Sequence, residues 1–326
     1  MRNSRLKCLG VATSMMAVLG VTPAVAQQET AASYPSRPVH IVVPFSPGSS
    51  TSVVARQVAH KIGESLKQQV LVDNKPGASG SIGLNFVAKA PADGYTLGLL
   101  IVGHLTLDNA PYDVLKDFAP ISQLSSNTYA LAVSSKLPVK TISDLIALAK
   151  AKPDAIRYGS SGTGGVIHLA SAWFASQANV KMTHVPYKGN ADAMKDVVGG
   201  HLDMLIGGYP TVAPFVKSGQ ARILGITSAK RLPALPDLPT IQEGGVSGYE
   251  VEGWYGLVGP AGTAAPIVDK LSREVARALA SPDTQKIFIN NAIDAVSSTP
   301  AEFGRYIRSE NDKWRKVVQA AGLNIK

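Results

Sequence analysis

Short apolar runs alternate with amphipathic stretches along most of this chain. The strand-like runs lie at residues 39–43, 70–72, 96–101, 129–133, 156–158, 182–185, 202–206, 222–226 and 255–258. Between the first two runs, Val54, Val58, Ile62 and Leu66 recur at every fourth position and predict a helix from about Thr51. This alternation of strands and helices predicts an α/β protein with open, parallel-rich sheets and helices on both faces.

Capping residues and prolines mark the predicted helix boundaries. Residues 141–144 (TISD) match a capping box and begin a helix that ends before Pro153. We expect about the last 60 residues to be wholly helical. Helix starts are predicted there at Pro266, Pro282 and Pro300.

The length of the chain suits two domains of about 150 residues each. One sheet of nine strands would account for the apolar runs, but two smaller sheets fit two lobes better. We place the first lobe at residues 34–131 plus 254–326 and the second at 132–253. Ligands of such folds bind beyond the carboxyl ends of the strands, so we expect the site in a cleft between the lobes.

The first 26 residues predict an export signal. Three basic residues precede an apolar run at residues 9–21, and residues 24–26 (AVA) match a cleavage site. The run is shorter than the roughly 20 residues that a membrane span needs. We therefore expect cleavage before Gln27 rather than a membrane anchor.

Composition and charge narrow the function. The single cysteine, Cys8, lies in the predicted signal, so the mature chain offers no disulfide, thiolate metal ligand or cysteine nucleophile. The net charge is +9, and removal of Arg2, Arg5 and Lys7 leaves 29 basic against 23 acidic residues, or +6. The basic residues are scattered singly, which argues against nucleic-acid binding. The charge is either that of an ordinary basic surface or a positive field that favours anions.

Three loops share one pattern, in which a strand is followed by glycines and hydroxyl residues and then by a helix. They are residues 45–52 (FSPGSSTS), 74–83 (NKPGASGSIG) and 158–165 (YGSSGTGG). Glycine lets backbone N–H groups approach a ligand, hydroxyls add donors, and a helix N-terminus attracts anions. One such loop is typical of an ordinary turn, but three in an exported chain predict an anion site.

Enzyme signatures are missing from the sequence. No phosphate-binding G-x-x-x-x-G-K-[ST] or G-x-G-x-x-G loop occurs, nor the G-x-S-x-G elbow of hydrolases or an H-E-x-x-H metal motif. A secreted hydrolase with a loop serine and His104 or His168 as its base is the rival interpretation. It would need a third, correctly placed residue. We predict no catalytic residue and no metal site.

Short motifs run in order through the whole mature chain. They are residues 47–48 (PG) leading to 55–56 (AR), 74–80 (NKPGASG), 91–97 (PADGYTL), 116–121 (KDFAPI), 158–162 (YGSSG), 184–189 (HVPYKG), 229–240 (AKRLPALPDLPT) and 254–256 (WYG). Together they resemble the Bug family, the substrate-binding proteins of tripartite tricarboxylate transporters. The resemblance implies a periplasmic, two-lobe, non-enzymatic binding protein of type II-like fold. It would act as a monomer, need no cofactor, close on a small carboxylate and serve one large and one small membrane subunit.

Two departures from the family pattern bear on the ligand. The usual P-G-G-x-x-D is residues 47–52 (PGSSTS) here, so Ser52 replaces the acid, and the family's D-x-x-x-D-N is residues 203–208 (DMLIGG). The loss of carboxylates removes repulsion of an anion and also a partner for an ammonium group, which argues against amino acids. Phe45 and Tyr209 favour a planar dicarboxylate such as terephthalate. Citrate, aliphatic diacids and nicotinate-like monoacids remain open.

The predicted mechanism is a clamp. One carboxylate binds hydroxyls and backbone N–H groups of the first two loops, and the second lobe swings in on a hinge to meet the other end. The predicted ligand-binding residues are Phe45, Gly48, Ser49, Ser50, Thr51, Ser79, Gly80, Ser81, His104, Ser161, Thr163, Gly164, Gly165 and Tyr209. An alternative purpose is presentation of the ligand to a periplasmic sensor.

Overall fold

The computed structural model describes residues 31–107 and 109–320, so the predicted signal peptide lies outside the described residues. The strands in this part of the chain are β1 (Val39–Val43), β2 (Val70–Asn74), β3 (Thr96–Ile101), β4 (Phe118–Ser134), β5 (Arg157–Ser160), β6 (Thr183–Pro186), β7 (Met204–Gly208), β8 (Ala221–Ile226), β9 (Glu252–Pro260) and β10 (Ile293–Ala295). The α-helices are α1 (Ser50–Leu66), α2 (Ser81–Ala88), α3 (Ile142–Ala151), α4 (Val166–Gln177), α5 (Asn190–Gly199), α6 (Tyr209–Lys217), α7 (Ala265–Ala280), α8 (Pro282–Asn290) and α9 (Pro300–Ala320).

Strand β4 joins two groups of strands. Up to Thr128 it pairs with β9 and β10, and from Tyr129 onward it pairs with β7 and β8. The first strand group is β1, β2, β3, β9 and β10, and the second is β5, β6, β7 and β8. Because β4 belongs to both, the strands form one hydrogen-bonded path, β2-β1-β3-β9-β4-β7-β5-β6, rather than two separate sheets.

The direction of pairing differs between the outside and the centre of this path. The pairs β1–β2, β1–β3, β5–β6 and β5–β7 are parallel, as the alternation of strands and helices predicts. The pairs that include β4 or β9 are antiparallel, because these strands carry the chain from one group to the other and back. The α/β class is confirmed, with its parallel parts where ligand loops are expected.

Buried apolar side chains hold helices on the strands. Val54, Val58 and Ile62 of α1 are each at most 1% exposed, which confirms the predicted apolar face of this helix. Burial of each such side chain contributes about 1.5–3 kcal/mol. In the second strand group, Ile206 of β7 and Phe174 of α4 are fully buried in another core, which also takes in side chains of β1 and β3. One core is therefore confined to the first strand group, and the other is shared by both groups.

Most predicted elements are confirmed at or near their predicted bounds. The capping box is present, with the Thr141 hydroxyl accepting from the Asp144 N–H at 3.0 Å. Besides the expectation of two separate sheets, two predictions about single elements are wrong. The predicted strand at residues 129–133 is only the end of a strand of 17 residues, β4, and β10 interrupts the region expected to be wholly helical. The lobe boundaries stay a prediction.

Candidate functional site

Segments that follow β1, β5 and β6 meet residues of β3, β4 and β9 between the two strand groups. They enclose a narrow cavity of about 30 Å³, whose lining is Phe45, Ser49, Ser50, Thr51, Ile101, Tyr129, Ser161, Val166, Ile167, Asn190 and Tyr255. The structure thus brings the hydroxyls of the first and third predicted loops to one place. A cavity of this volume holds a water molecule or two, so a dicarboxylate requires the two strand groups to move apart.

The first loop gathers hydroxyl groups at the start of α1. Ser49 Oγ lies 2.6 Å from Thr51 Oγ1 and 3.2 Å from Ser52 Oγ. Asn74 Nδ2 donates to Phe45 O at 2.7 Å and so fixes the loop. The first turn of α1 carries no acidic residue. The positive end of this helix dipole therefore faces the cavity without a neighbouring carboxylate, which favours an anion there.

Glycine is required at the predicted position Gly48, which has a φ of +85°. A Cβ there would lie 3.8 Å from Ala191 Cβ, so the first loop approaches the start of α5 at this point. Gly48 therefore shapes the first loop, and it is not among the residues that line the narrow cavity.

The second loop has an unusual backbone. Gly77, Ala78, Ser79 and Gly80 all have positive φ, from +46° to +129°. For the two non-glycine residues this conformation costs about 1–3 kcal/mol each, and such strain is typical of ligand clamps. The hydroxyl of Ser79 donates to Thr163 O at 2.7 Å, so the second loop contacts the third directly.

Three of the predicted ligand residues lie at a neighbouring, larger cavity. Ser79, Ser81 and Thr163 line a space of about 400 Å³ at the outer side of the narrow cavity. Its other lining residues are Ala78, Ile82, Asn85, Leu107, Asn109, Ala110 and Pro111. None of these described residues is charged, so this outer cavity is also neutral.

His104 is buried in the first strand group. Its Nδ1 accepts the Ile101 N–H at 3.1 Å, and its ring stacks on Phe45 at 6.0 Å between centroids. Burial lowers the pKa of His104 to about 3, so the imidazole is neutral. A Cβ on Gly80 would lie 2.4 Å from His104 Nε2, which explains the glycine there. His104 supports Phe45 and the second loop without supplying a positive charge.

The third loop rests on two imidazoles. His168 Nδ1 accepts the Gly164 N–H at 3.1 Å, and the rings of His168 and His184 stack at 4.0 Å. Burial lowers the pKa of both, that of His184 to about 4 with a further contribution from His168. Gly165 is the N-cap residue of α4. Neutral histidines therefore hold the predicted residues Gly164 and Gly165 in place.

A serine–histidine contact occurs in this loop, but it does not resemble a hydrolase site. Ser160 Oγ lies 2.6 Å from His184 Nε2. Ser160 is fully buried, and the neighbours described for the His184 ring are Tyr158 and His168 rather than a carboxylate. Attack on a substrate requires an accessible hydroxyl and an oriented base. Ser161, which does face the cavity, has no described contact with an imidazole.

Sequence reasoning missed several lining residues, above all two tyrosines. Tyr129 and Tyr255 lie where the chain passes between the strand groups. Burial raises the pKa of Tyr255 to about 12, against a smaller opposing effect of the Ser50 hydroxyl. A Cβ on Gly253 would lie 1.8 Å from the Tyr129 hydroxyl oxygen, so this glycine gives the ring its space. The apolar pattern marks both tyrosines only as strand residues, which hides their role.

Tyr209, which was predicted at the cleft, is not among the residues that line the narrow cavity. It is the first residue of α6 and follows Gly208. A Cβ on Gly208 would lie 1.8 Å from Ser50 Oγ. The Ser50 hydroxyl therefore occupies the space where the family pattern carries a larger side chain.

The electrostatics of the narrow cavity are those of a neutral site. Its lining residues carry hydroxyl, amide and aromatic groups, and none is acidic or basic. Within residues 31–107 and 109–320, no three His, Cys, Asp or Glu side chains are grouped as a metal ion would need. In the same ranges, no helix combines the length and the hydropathy needed to cross a membrane.

Comparisons with known proteins identify the family of this chain. The family described as "Tripartite tricarboxylate transporter family receptor", TctC, matches residues 54–323. Protein BugT of Bordetella pertussis is 34% identical over 96% of this chain and 99% of its own length. A UPF0065 protein in the tcbD-tcbE intergenic region of Pseudomonas sp. strain P51 is 35% identical over 94% and 93%, respectively.

Solved structures share the fold over nearly their whole length. The periplasmic binding protein BugD has a TM-score of 0.86 at 32% identity, covering 89% of this chain and 99% of its own. R. palustris Rpa4515 with adipate has a TM-score of 0.86 at 35% identity, covering 89% of this chain and 98% of its own. MatC from Rhodopseudomonas palustris with bound malate has a TM-score of 0.83 at 28% identity, covering 87% of this chain and 100% of its own. The predicted fold class and resemblance are confirmed: the chain belongs to the TctC family of tripartite tricarboxylate transporter receptors, with Bug proteins among its relatives.

Proposed function

We propose that this chain, exported and cleaved near Ala26, captures a small dicarboxylate in the periplasm and delivers it to a membrane transporter. The observation that carries the proposal is the neutral, hydroxyl-lined cavity between the strand groups at the start of α1. Hydrogen bonds to ionised groups contribute about 1.5–3 kcal/mol each. A few of them therefore support micromolar binding, about 8 kcal/mol, after ordering costs.

Two features favour a dicarboxylate over an amino acid. Related structures contain adipate and malate. In this chain Ser52 and Gly207 stand where the family pattern has acids, so an ammonium group would find no carboxylate among the residues that line the narrow cavity. Phe45, Tyr129 and Tyr255 line the cavity and provide flat apolar surfaces. A planar dicarboxylate such as terephthalate is therefore included in the proposed ligand class.

Binding is proposed to involve a hinge motion of the two halves of the chain. Strand β4 pairs with strands of both groups, and residues from both sides supply the cavity wall. The ligand enters when the groups separate, and contacts with Ser161 and Asn190 form as they return. Closure is then driven by contacts that exist only in the closed form.

Calorimetry against a carboxylate panel tests the ligand class. The mature protein is titrated with adipate, malate, terephthalate, citrate, nicotinate and glutamate under identical conditions. We expect micromolar or tighter binding of at least one dicarboxylate and no measurable binding of glutamate. Tight binding of glutamate together with no binding of the dicarboxylates would overturn the proposal.

The proposed partners are one large and one small membrane subunit, with the receptor acting as a monomer. Transfer to a periplasmic sensor domain is the alternative. Affinity capture from solubilised membranes, with and without the best dicarboxylate, separates the two. Recovery of transporter subunits only with the dicarboxylate supports delivery to a permease. Recovery of a sensor protein in their place would contradict it.

A further inference from the structure

Three hydroxyl groups of the first strand group's loops donate hydrogen bonds across the cleft to the second. These cross-cleft bonds run from Ser46 Oγ to Asp192 Oδ2 (2.7 Å), from Ser79 Oγ to Thr163 O (2.7 Å) and from Thr106 Oγ1 to Gly164 O (2.8 Å). All three join protein to protein, so none of them needs a ligand atom as donor or acceptor. One acceptor is an ionisable carboxylate, which makes the strongest class of such bonds.

Glycines bring the two sides into contact at these bonds. A Cβ on Gly162 would lie 2.3 Å from Ser79 Oγ, and one on Gly189 would lie 3.2 Å from the Ser46 backbone nitrogen. A Cβ on Gly103 would lie 2.9 Å from the backbone nitrogen of Val166. The halves therefore touch through backbone at three places around the cavity. A side chain at any of these three glycine positions would keep the two sides of the cleft apart.

We propose that the cross-cleft bonds close the cleft of this chain by themselves, so that the closed form predominates before any ligand binds. The inference rests on the proposed binding function, because a closed cleft matters only if a ligand must enter it. Access is then limited by the open fraction. The cross-cleft bonds should slow association and dissociation alike and leave the equilibrium affinity almost unchanged.

This kinetic pattern separates a closure contact from a ligand contact. Loss of a ligand contact raises the dissociation rate alone and weakens binding. Loss of a closure contact raises both rates, because the open fraction grows with and without ligand. Thr106→Val and Ser46→Ala are suitable closure variants, since neither residue is among the predicted ligand-binding residues. Ser161→Ala is the matched control, since its hydroxyl lines the cavity and makes no cross-cleft bond.

The experiment measures the distance across the cleft in the mature chain, from which cysteine is absent. Phe86→Cys on α2 and Lys188→Cys beside Gly189 place one fluorophore on each side for single-molecule energy transfer. Without added ligand, we expect mainly the short distance for the otherwise unchanged chain and for Ser161→Ala. We expect a shift to the long distance for Thr106→Val and Ser46→Ala. A mainly long distance in the otherwise unchanged chain would overturn the inference. So would the absence of a shift in Thr106→Val and in Ser46→Ala alike.

Stopped-flow binding of adipate and of terephthalate completes the test. For Thr106→Val we expect both rate constants to rise about five- to tenfold, with less than a twofold change in Kd. A rise in the dissociation rate alone would contradict the inference. If no dicarboxylate of the calorimetry panel binds while the distances shift as expected, the proposed ligand class fails and the closure mechanism stands.

Discussion

Single residues at the cavity offer neutral donors rather than charge. The hydroxyls of Ser49, Ser50, Thr51 and Ser161 face a common space together with the amide of Asn190. Ser52 extends the hydroxyl cluster at the position where the family pattern has an acid. Under the proposed function, oriented dipoles would hold a dianion in this space without a counter-charge, as at other helix N-termini.

Ser161→Ala should weaken dicarboxylate binding. A hydrogen bond to an ionised group contributes about 1.5–3 kcal/mol, which corresponds to a roughly tenfold to hundredfold rise in Kd. Titration calorimetry with adipate measures the change. Ser247→Ala, an exposed serine away from the cleft, should leave Kd unaltered. An unaltered Kd in Ser161→Ala would show that this hydroxyl does not contact the ligand.

His104 should make the stability of the fold depend on pH. Its pKa is about 3 in the folded chain, against an ordinary 6.5. Between these values the unfolded chain takes up a proton that the folded chain does not. The free energy of unfolding therefore falls as pH falls from 6.5 towards 3, by up to about 1.4 kcal/mol per pH unit.

His104→Asn tests this dependence, because it keeps an acceptor for the Ile101 N–H and removes the titrating ring. Urea unfolding at several values between pH 6.5 and pH 4 should show a shallower loss of stability in the variant. His201→Asn, at an exposed position, serves as the control. Equal slopes for His104→Asn and the unchanged chain would contradict the assignment.

At the scale of elements, two glycines illustrate opposite constraints. Gly304 lies inside α9, where a Cβ would make an ordinary van der Waals contact, 3.5 Å from Pro120 Cγ. Gly256 in β9 lies beneath Phe303, whose Cζ would be 1.9 Å from a Cβ. Phe303 is fully buried and has no room to withdraw. The first glycine is therefore tolerated in the helix, and the second is required by packing.

The two alanine substitutions should change stability in opposite directions. Gly304→Ala should raise the free energy of unfolding by about 0.5–1 kcal/mol, because alanine favours helix. Gly256→Ala should lower it by about 1–3 kcal/mol through overpacking. Urea denaturation of both variants measures the difference. Equal stabilities would mean that Phe303 does not pack on β9 as described.

Element prediction succeeded where the apolar pattern was regular and failed where a buried strand is polar. The bounds of β1 and β3 are as predicted, because both are continuous apolar runs. The first part of β4 was missed because it contains the polar residues Ser122, Gln123 and Ser125. All three are buried, and this part of β4 pairs with β9 and, from Ser125, also with β10. Only tertiary pairing makes that segment a strand.

The same distinction applies to the candidate site. Gly/Ser loops are recognisable in the sequence, so Ser49, Ser50, Thr51 and Ser161 could be predicted as site residues, and all four line the cavity. Tyr129 and Tyr255 could not, since nothing local separates a cleft-facing tyrosine from a core one. The separation of Ser79 from the narrow cavity also depends on how the second loop meets the third.

The whole molecule is organised around strand β4, which pairs with strands of both groups and leaves their loops facing one another. The narrow cavity and the cross-cleft bonds lie between the two groups, so under the proposed function opening of the cleft would control both entry and release. One buried core lies within the first strand group, and the other takes in side chains of both groups. The proposed function thus depends on the two strand groups together.

A crystal structure of the mature chain with its tightest-binding dicarboxylate tests the proposed binding mode most directly. We expect serine and threonine hydroxyls and backbone N–H groups from both strand groups to contact the carboxylates. We expect no Lys, Arg or His⁺ side chain to do so. A carboxylate held by a basic side chain, or a ligand located outside the interface of the two strand groups, would contradict it.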